Sequence, residues 1–146
     1  MQDDKSFLEI KVIWKDEYMF EVKITSSNGR YSGTTEVYDT SDSLLNFSKS
    51  LSGFPKENEI SFYEIGEKNA YAYFSMKLYC IDSAGHIGVL INLEESVATE
   101  YRAEEKDKLS LEILTEPNAI DNFQKELLHL AEKQEGMAIL YGIKKN

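Results

Sequence analysis

Two histidines are the side chains of this 146-residue chain best suited to move a proton near neutral pH. His86 follows a short turn, and His129 lies in a leucine-rich run. Neither has the spacing of a motif such as H-E-x-x-H, and a general base also needs a partner within hydrogen-bond reach. The sequence contains no nucleophile elbow, phosphate-binding loop or dinucleotide fingerprint. We therefore expect no catalytic residues, no enzyme activity and no cofactor.

Cys80 is the only cysteine, so the chain forms no internal disulfide and no cysteine-based zinc site. It lies in a strand-like run over residues 77–81, where a lone thiol usually behaves as a small buried apolar group. The sequence therefore predicts no metal site.

Carboxylates are the abundant reactive groups, with 26 Asp and Glu against 16 Lys and Arg. Two of them can act as general acid and base, which leaves open an enzyme that has one carboxyl of strongly raised pKa in a cleft. A solvated surface is the more ordinary interpretation, because Arg102, Lys106 and Lys108 are interspersed among the acidic residues of that region.

The net charge of −10 and the pI near 4.7 decide which partners suit this chain. Nucleic acid and anionic bilayers repel it, and its only arginines are Arg30 and Arg102. It attracts basic proteins and repels its own copies, so we expect a monomer in the free state. The first five residues are acidic where a signal peptide is basic, and no stretch approaches a membrane span. We therefore expect a cytoplasmic protein.

The elements that position these groups begin with alternating apolar residues, which is the period of a half-buried strand. The first run places four apolar side chains on one face, namely Leu8, Ile10, Val12 and Trp14. Further runs cover residues 18–24 and 31–38, with the Asn28-Gly29 hairpin signal between them. The sequence thus predicts a three-stranded meander.

The apolar spacing changes to a helical period after residue 39. Thr40 provides an N-cap oxygen for a first helix, which Gly53 and Pro55 end. The predicted elements after this helix are strands over 60–65, 71–81, 87–93 and 109–114, a helix from Pro117 to Lys133, and an apolar tail over 137–141. Short hairpin connections leave no room for parallel crossovers. The predicted fold class is α+β, a mostly antiparallel β-sheet of meanders and hairpins with two amphipathic helices packed on it.

The length indicates a single domain over residues 1–146. One short sequence pattern is repeated within it. The pattern N-F-x-K-x-L occurs at residues 46–51 and again at 122–127, each time on a helix that follows antiparallel strands. A duplicated unit over residues 6–54 and 60–133 produces such a pattern. So does the general need of an amphipathic helix for Phe and Leu four residues apart.

The order of these features resembles a known family. The matching segments are the helix 43–51, the strand 74–79, the hairpin 82–89, the strand 108–113 and the helix 120–127. In this order, and above all in the D-x-x-G-H-I-x-V pattern of the hairpin, the chain from Phe7 to Leu130 resembles the WapI-like family of bacterial polymorphic-toxin immunity proteins. The resemblance implies a small protein that binds the C-terminal domain of a secreted or contact-dependent toxin. It makes His86 a motif residue, whose role we interpret as turn geometry.

The implied partner and the charge agree, because toxin domains that cleave nucleic acid are usually basic and an acidic inhibitor is steered towards such a surface. We expect stoichiometric inhibition, in which an acidic face covers the active cleft of a cognate toxin domain, expected to be a nuclease. The candidate partner-binding residues are carboxylates and tyrosines: Asp39, Asp42, Glu94, Glu95, Glu104, Glu105, Tyr71, Tyr73 and Tyr101. The tyrosines are included because the centres of interfaces favour aromatic anchors.

A hypothesis from a different class stays open. It is a non-enzymatic small-molecule-binding or regulatory module, with an aromatic-lined pocket against the sheet. A ligand retained through purification would favour it, and so would a shift in melting temperature with a panel of metabolites.

Overall fold

In the computed structural model the described residues are 6–68, 71–97, 99–102 and 104–143. The elements are β1 (Phe7–Lys15), β2 (Phe20–Ser27), β3 (Ser32–Asp39), α1 (Ser41–Ser50), β4 (Ser61–Gly66), β5 (Ala72–Cys80), β6 (Ile87–Ser96), β7 (Lys106–Thr115), α2 (Pro117–Lys133) and β8 (Met137–Tyr141). The strands form two four-stranded antiparallel sheets, in the orders β3-β2-β1-β8 and β4-β5-β6-β7. The predicted α+β class with mostly antiparallel strands is confirmed.

Each sheet combines a three-stranded meander from one half of the chain with one strand from the other half. β8, which follows α2, pairs with β1, and β4, which follows α1, pairs with β5. Each added strand lies beside the first strand of the meander, so the two halves are arranged alike. Local sequence does not specify this division, because the pairing of Phe7 with Tyr141 joins opposite ends of the chain.

The two helices pack on each other through their repeated pattern. α1 begins as predicted, with the Thr40 hydroxyl accepting a hydrogen bond from the N–H of Ser43 at 3.3 Å. Ser48 of α1 donates its hydroxyl proton to the carbonyl oxygen of Gln124 of α2 at 3.2 Å. These two residues hold the same position in the two N-F-x-K-x-L patterns. The repeated pattern in the sequence therefore marks the contact between the helices.

One hydrophobic core receives side chains from all the strands and both helices. Its largest fully buried side chains include Phe20, Phe54, Phe74 and Phe123. α1 packs on β4 and α2 on β8, so each helix covers the strand that was added from its own half. Past β8, the N–H of Ile143 donates to the carbonyl of Leu114 at 2.7 Å, which joins the first sheet to the last strand of the second.

A β-bulge interrupts the alternation of β1. Val12 pairs with Val22 but Trp14 pairs with Glu21, so Ile13 is an extra residue in the strand. Trp14 consequently leaves the buried face predicted for it and is 46% exposed on the opposite face. The prediction for Trp14 was wrong because a period of two counted along the sequence is shifted by one residue at a bulge.

Candidate functional site

Most of the candidate partner-binding residues gather at one end of the sheet β4-β5-β6-β7. They are Tyr71, Tyr73, Glu94, Glu95, Tyr101, Glu104 and Glu105. The antiparallel register places the start of β5, the end of β6 and the start of β7 side by side. The N–H of Ser96 donates to the carbonyl of Tyr71 at 2.7 Å, and the N–H of Val97 donates to that of Glu105 at 3.0 Å. The first bond joins the end of β6 to the residue before β5, and the second closes the base of the β6–β7 loop.

We call this surface the acidic end and define it by Glu67, Tyr71, Glu94, Glu95, Glu100, Tyr101, Glu104, Glu105 and Asp107. Its two tyrosines project into solvent, with Tyr71 69% and Tyr101 85% exposed. The carboxylates outnumber the basic side chains of the same region, which are Lys68, Arg102, Lys106 and Lys108. An acidic surface with two exposed aromatic rings suits a basic protein partner.

Glu95 is used inside the fold. Its Oε1 accepts hydrogen bonds from the N–H of Glu36 at 3.1 Å and from the hydroxyl of Thr35 at 3.3 Å. The same hydroxyl lies 3.1 Å from the carbonyl oxygen of Glu94. β3 is the edge strand of its sheet, and an edge strand presents unpaired backbone groups. Glu95 satisfies one of them and joins the two sheets.

Glu94 and Tyr73 are also covered. The Glu94 side chain is 11% exposed, and its Oε1 lies 3.8 Å from Nζ of Lys106, a side chain that is itself 13% exposed. Tyr73 is 3% exposed and donates its hydroxyl proton to Glu64 at 2.8 Å. Burial raises the pKa of the Tyr73 hydroxyl. The exposed side chains of the acidic end are therefore Glu67, Tyr71, Glu100, Tyr101, Glu104 and Asp107.

Asp39 and Asp42 lie elsewhere, where β3 passes into α1. Asp39 is 7% exposed and accepts hydrogen bonds from the hydroxyl of Tyr63 and, at 2.8 Å, from the N–H of Thr40. Burial raises the pKa of the Asp39 carboxyl, against the lowering effect of these hydrogen bonds. Asp42 is exposed in the first turn of α1, where a carboxylate interacts favourably with the helix dipole.

The hairpin between β5 and β6 contains the most specific motif. Oδ1 of Asp82 accepts from the N–H of Ala84 at 2.8 Å and from that of His86 at 3.3 Å, and Oδ2 lies 2.7 Å from Nδ1 of His86. Gly85 has a φ of +88°, which favours glycine. The hydrogen bond from His86 lowers the pKa of Asp82. Asp82, Gly85 and His86, the specified residues of D-x-x-G-H, thus each have a place in the turn, in line with the turn-geometry interpretation of His86.

The same Asp–His geometry also orients the imidazole of many hydrolases, so its surroundings matter. A cavity of about 360 Å³ adjoins the pair. Its described lining is Ile81, Asp82, His86, Glu112, Ile113 and Leu114, which supplies no hydroxyl or thiol nucleophile. The Asp82–His86 pair can therefore hold the turn. The described lining of the adjoining cavity offers no nucleophile for His86 to activate.

A groove of about 320 Å³ lies between the start of β3 and the paired ends of β6 and β7, and it includes three residues of the acidic end. Its lining is Ser32, Gly33, Thr34, Leu93, Glu94, Glu95, Asp107, Lys108 and Leu109. The described lining contains no aromatic ring, in contrast to the pocket that the small-molecule hypothesis expects.

Exposed aromatic side chains also occupy a surface that the candidate residues do not include. Trp14 and Tyr38 lie on the outer face of the sheet β3-β2-β1-β8 and are 46% and 50% exposed. The place of Trp14 on this face depends on the bulge at Ile13, for which the alternation of the sequence gives no signal.

Within residues 6–68, 71–97, 99–102 and 104–143, no group of three or more His, Cys, Asp or Glu side chains is placed to hold a metal ion. In the same part of the chain, neither helix is long and apolar enough to cross a membrane. The five N-terminal residues, on which the expected absence of a signal peptide depends, lie outside the described residues.

Comparison of the chain with protein-family models, with curated proteins and with solved structures finds no match. A function is therefore proposed from the chain's own residues and surfaces.

Proposed function

We propose that this chain is an immunity protein that binds the C-terminal toxin domain of a cognate bacterial toxin, a nuclease, and neutralises it by stoichiometric inhibition. The acidic end carries this proposal, because Tyr71 and Tyr101 project from it among carboxylates. The net charge of −10 and the D-x-x-G-H-I-x-V hairpin, which resembles that of WapI-like immunity proteins, support the same function.

The physical basis is competition with a nucleic-acid substrate. A nuclease domain holds phosphates with Lys and Arg, so its substrate cleft is positively charged. Carboxylates that cover this cleft exclude the substrate, and long-range attraction raises the association rate. Tyr71 and Tyr101 offer large rings with few rotatable bonds, which is the residue type that often dominates binding energy.

Co-expression with the toxin C-terminal domain encoded immediately upstream tests the proposal. We expect growth to be rescued and the two proteins to elute from a sizing column as a 1:1 complex. A titration of purified toxin should lose activity linearly up to one equivalent, whereas an enzyme would inactivate the toxin below that ratio. Toxicity without rescue, or rescue without a complex, would contradict stoichiometric inhibition.

A matched pair of charge reversals tests the surface. Glu100 and Glu104 are exposed at the acidic end, while Glu132 and Glu135 are exposed at the end of α2. Replacing either pair by lysine changes the net charge equally. We expect the variant at the acidic end to associate about tenfold more slowly at low salt, with a weaker salt dependence, and the α2 variant to stay close to the original protein. Equal slowing of both would remove the acidic end as the docking surface.

A further inference from the structure

The bulge in β1 changes the outer face of the sheet β3-β2-β1-β8. Past Ile13 the register pairs Trp14 with Glu21, and Glu21 in turn pairs with Tyr38 on β3. Bulges re-aim side chains, and they are common beside functional sites. In a regular register Ile13 would pair with Glu21, and Trp14 would pair with Phe20 and point into the core. The bulge thus places the chain's only tryptophan on the solvent side.

The two rings meet across the intervening strand. Their centroids are 6.0 Å apart, and the ring planes stand at 89° to each other. Glu21 occupies the register position between them and is half-buried. Two aromatic rings with a carboxylate between them in the register are an arrangement suited to a cation, since the ring faces and the carboxylate are both negative.

The carboxylates of Glu21 and Glu36 are available to a cationic partner. Burial raises the pKa of Glu21, and the neighbouring charge of Glu36 raises it further. Lys11 and Lys23 lie in the next row of the same face, with Lys23 opposite Glu36 in the register. Neither lysine comes within ion-pair distance of a described carboxylate. A cation from outside the chain would therefore relieve the repulsion between Glu21 and Glu36.

Exposed apolar side chains also occur next to the pair in sequence, at and before the β1–β2 turn. Ile13, Tyr18 and Met19 are 41%, 75% and 37% exposed, respectively. The turn itself is held by Asp16, whose Oδ1 accepts from the N–H groups of Tyr18 at 2.7 Å and Met19 at 2.9 Å. Exposed apolar side chains near a carboxylate suit a side chain that combines a cationic head with an aliphatic stem.

We propose that Trp14 and Tyr38, together with Glu21 and Glu36, form a binding site for an arginine side chain of a basic protein partner. We call it the Trp14–Tyr38 site. Arginine fits better than lysine, because its planar guanidinium stacks on aromatic rings and also pairs with carboxylates. The identity of the partner rests on the proposed function, in which a basic toxin domain is bound. The site adds a second contact surface, on the other sheet from the acidic end.

The tryptophan reports on its own site, since the chain contains no other. The probe is an acetylated, amidated peptide of three arginines, followed by the fluorescence of Trp14. The neutral control is the same peptide with citrulline in place of arginine. We expect a saturable change of the Trp14 emission with the arginine peptide and none with the citrulline peptide.

Matched variants separate a specific site from general negative charge. Glu21→Gln and Tyr38→Leu should each weaken peptide binding about two- to fivefold, the range expected for one partly exposed cation–π or ionic contact. Glu9→Gln removes a carboxylate from β1 on the same face, at the same cost in net charge, and should leave binding unchanged. Circular dichroism verifies that each variant is folded. A non-saturable titration, or equal weakening by Glu21→Gln and Glu9→Gln, would overturn the site.

Measurements on the toxin complex distinguish failure of the site from failure of the proposed function. If a 1:1 complex forms while the Trp14 emission and the affinity of Glu21→Gln are unchanged, the site is refuted and the immunity function stands. If no complex forms but the arginine peptide binds saturably, the site stands and the immunity function is refuted.

Discussion

Tyr63→Phe removes one hydroxyl from the core, and the effect can be worked out from the contacts of that hydroxyl. It donates to the buried carboxyl of Asp39. The Tyr63 ring stacks on Phe47 with centroids 4.4 Å apart and meets Phe74 edge-to-face at 6.1 Å. Phenylalanine retains both ring contacts, so the variant isolates the hydrogen bond.

The expected cost is about 1.5–3 kcal/mol at neutral pH, since the bond involves a charged acceptor that is left buried without it. For a domain of this length, each kcal/mol lowers the melting temperature by roughly 2–4 °C. Thr40 keeps its own hydrogen bond to the carboxyl, so the loss should stay within this range.

The cost should depend on pH in a definite direction. Burial raises the folded-state pKa of Asp39 above its ordinary value. The stability that this group contributes is complete below the unfolded pKa and is lost as pH rises through the folded pKa. The Tyr63 hydroxyl limits that loss, because it lowers the pKa of Asp39. The deficit of Tyr63→Phe should therefore be largest at neutral pH and shrink in acid, towards the value of about 1 kcal/mol for an uncharged hydrogen bond.

Urea unfolding followed by circular dichroism between pH 4 and pH 8 measures this deficit. Tyr79→Phe is the matched control, since its hydroxyl donates to Glu112 in a half-buried setting, and this bond raises the pKa of Tyr79 to about 12. We expect the control to cost about 1 kcal/mol or less. A cost of Tyr63→Phe below that of the control, or one that is the same at all pH values, would refute the account of the Asp39–Tyr63 bond.

Three further substitutions are expected to act at single contacts. Gly66→Ala should cost more than about 1 kcal/mol in urea unfolding, because Gly66 has a φ of +75° and a Cβ there would lie 2.3 Å from the carbonyl oxygen of Ala72. Phe123→Ala should cost about 3–5 kcal/mol by calorimetry, since the side chain is fully buried, and a cost near zero would contradict the described core. His86→Ala should raise the pKa of Asp82 in an NMR titration, because the hydrogen bond from His86 is the main influence that lowers it; an unchanged pKa would contradict that bond.

The features predicted correctly from the sequence are those that local chemistry decides. Thr40 caps α1 and Pro117 opens α2, each at the position that its side chain favours. Asn28 and Asp82 accept backbone hydrogen bonds within the turns that were predicted at these positions. Each of these signals acts over two to four residues, so no tertiary information is needed.

The features missed depend on contacts between distant residues. Tyr73 was selected as an interface anchor, yet β5 is buried on both faces, from Ala72 to Met76, and alternation cannot distinguish the two faces of such a strand. Glu95 was selected for its charge, but the approach of β3 decides its use. Glu94, Glu95, Glu104 and Glu105 lie together because they adjoin one hairpin, whereas Asp39 and Asp42 lie at the junction of β3 and α1. The sequence could not rank them by burial.

Because β4 pairs with the meander of the second half and β8 pairs with the meander of the first half, each half of the chain completes the sheet of the other. Removal of either half would leave the other with a helix-linked strand that has no neighbour and a meander whose first strand has an open edge. Neither half can therefore open alone without breaking pairings in both sheets. Unfolding should consequently be one cooperative transition, and two fragments divided between β4 and β5 should reach the native fold only when they are mixed.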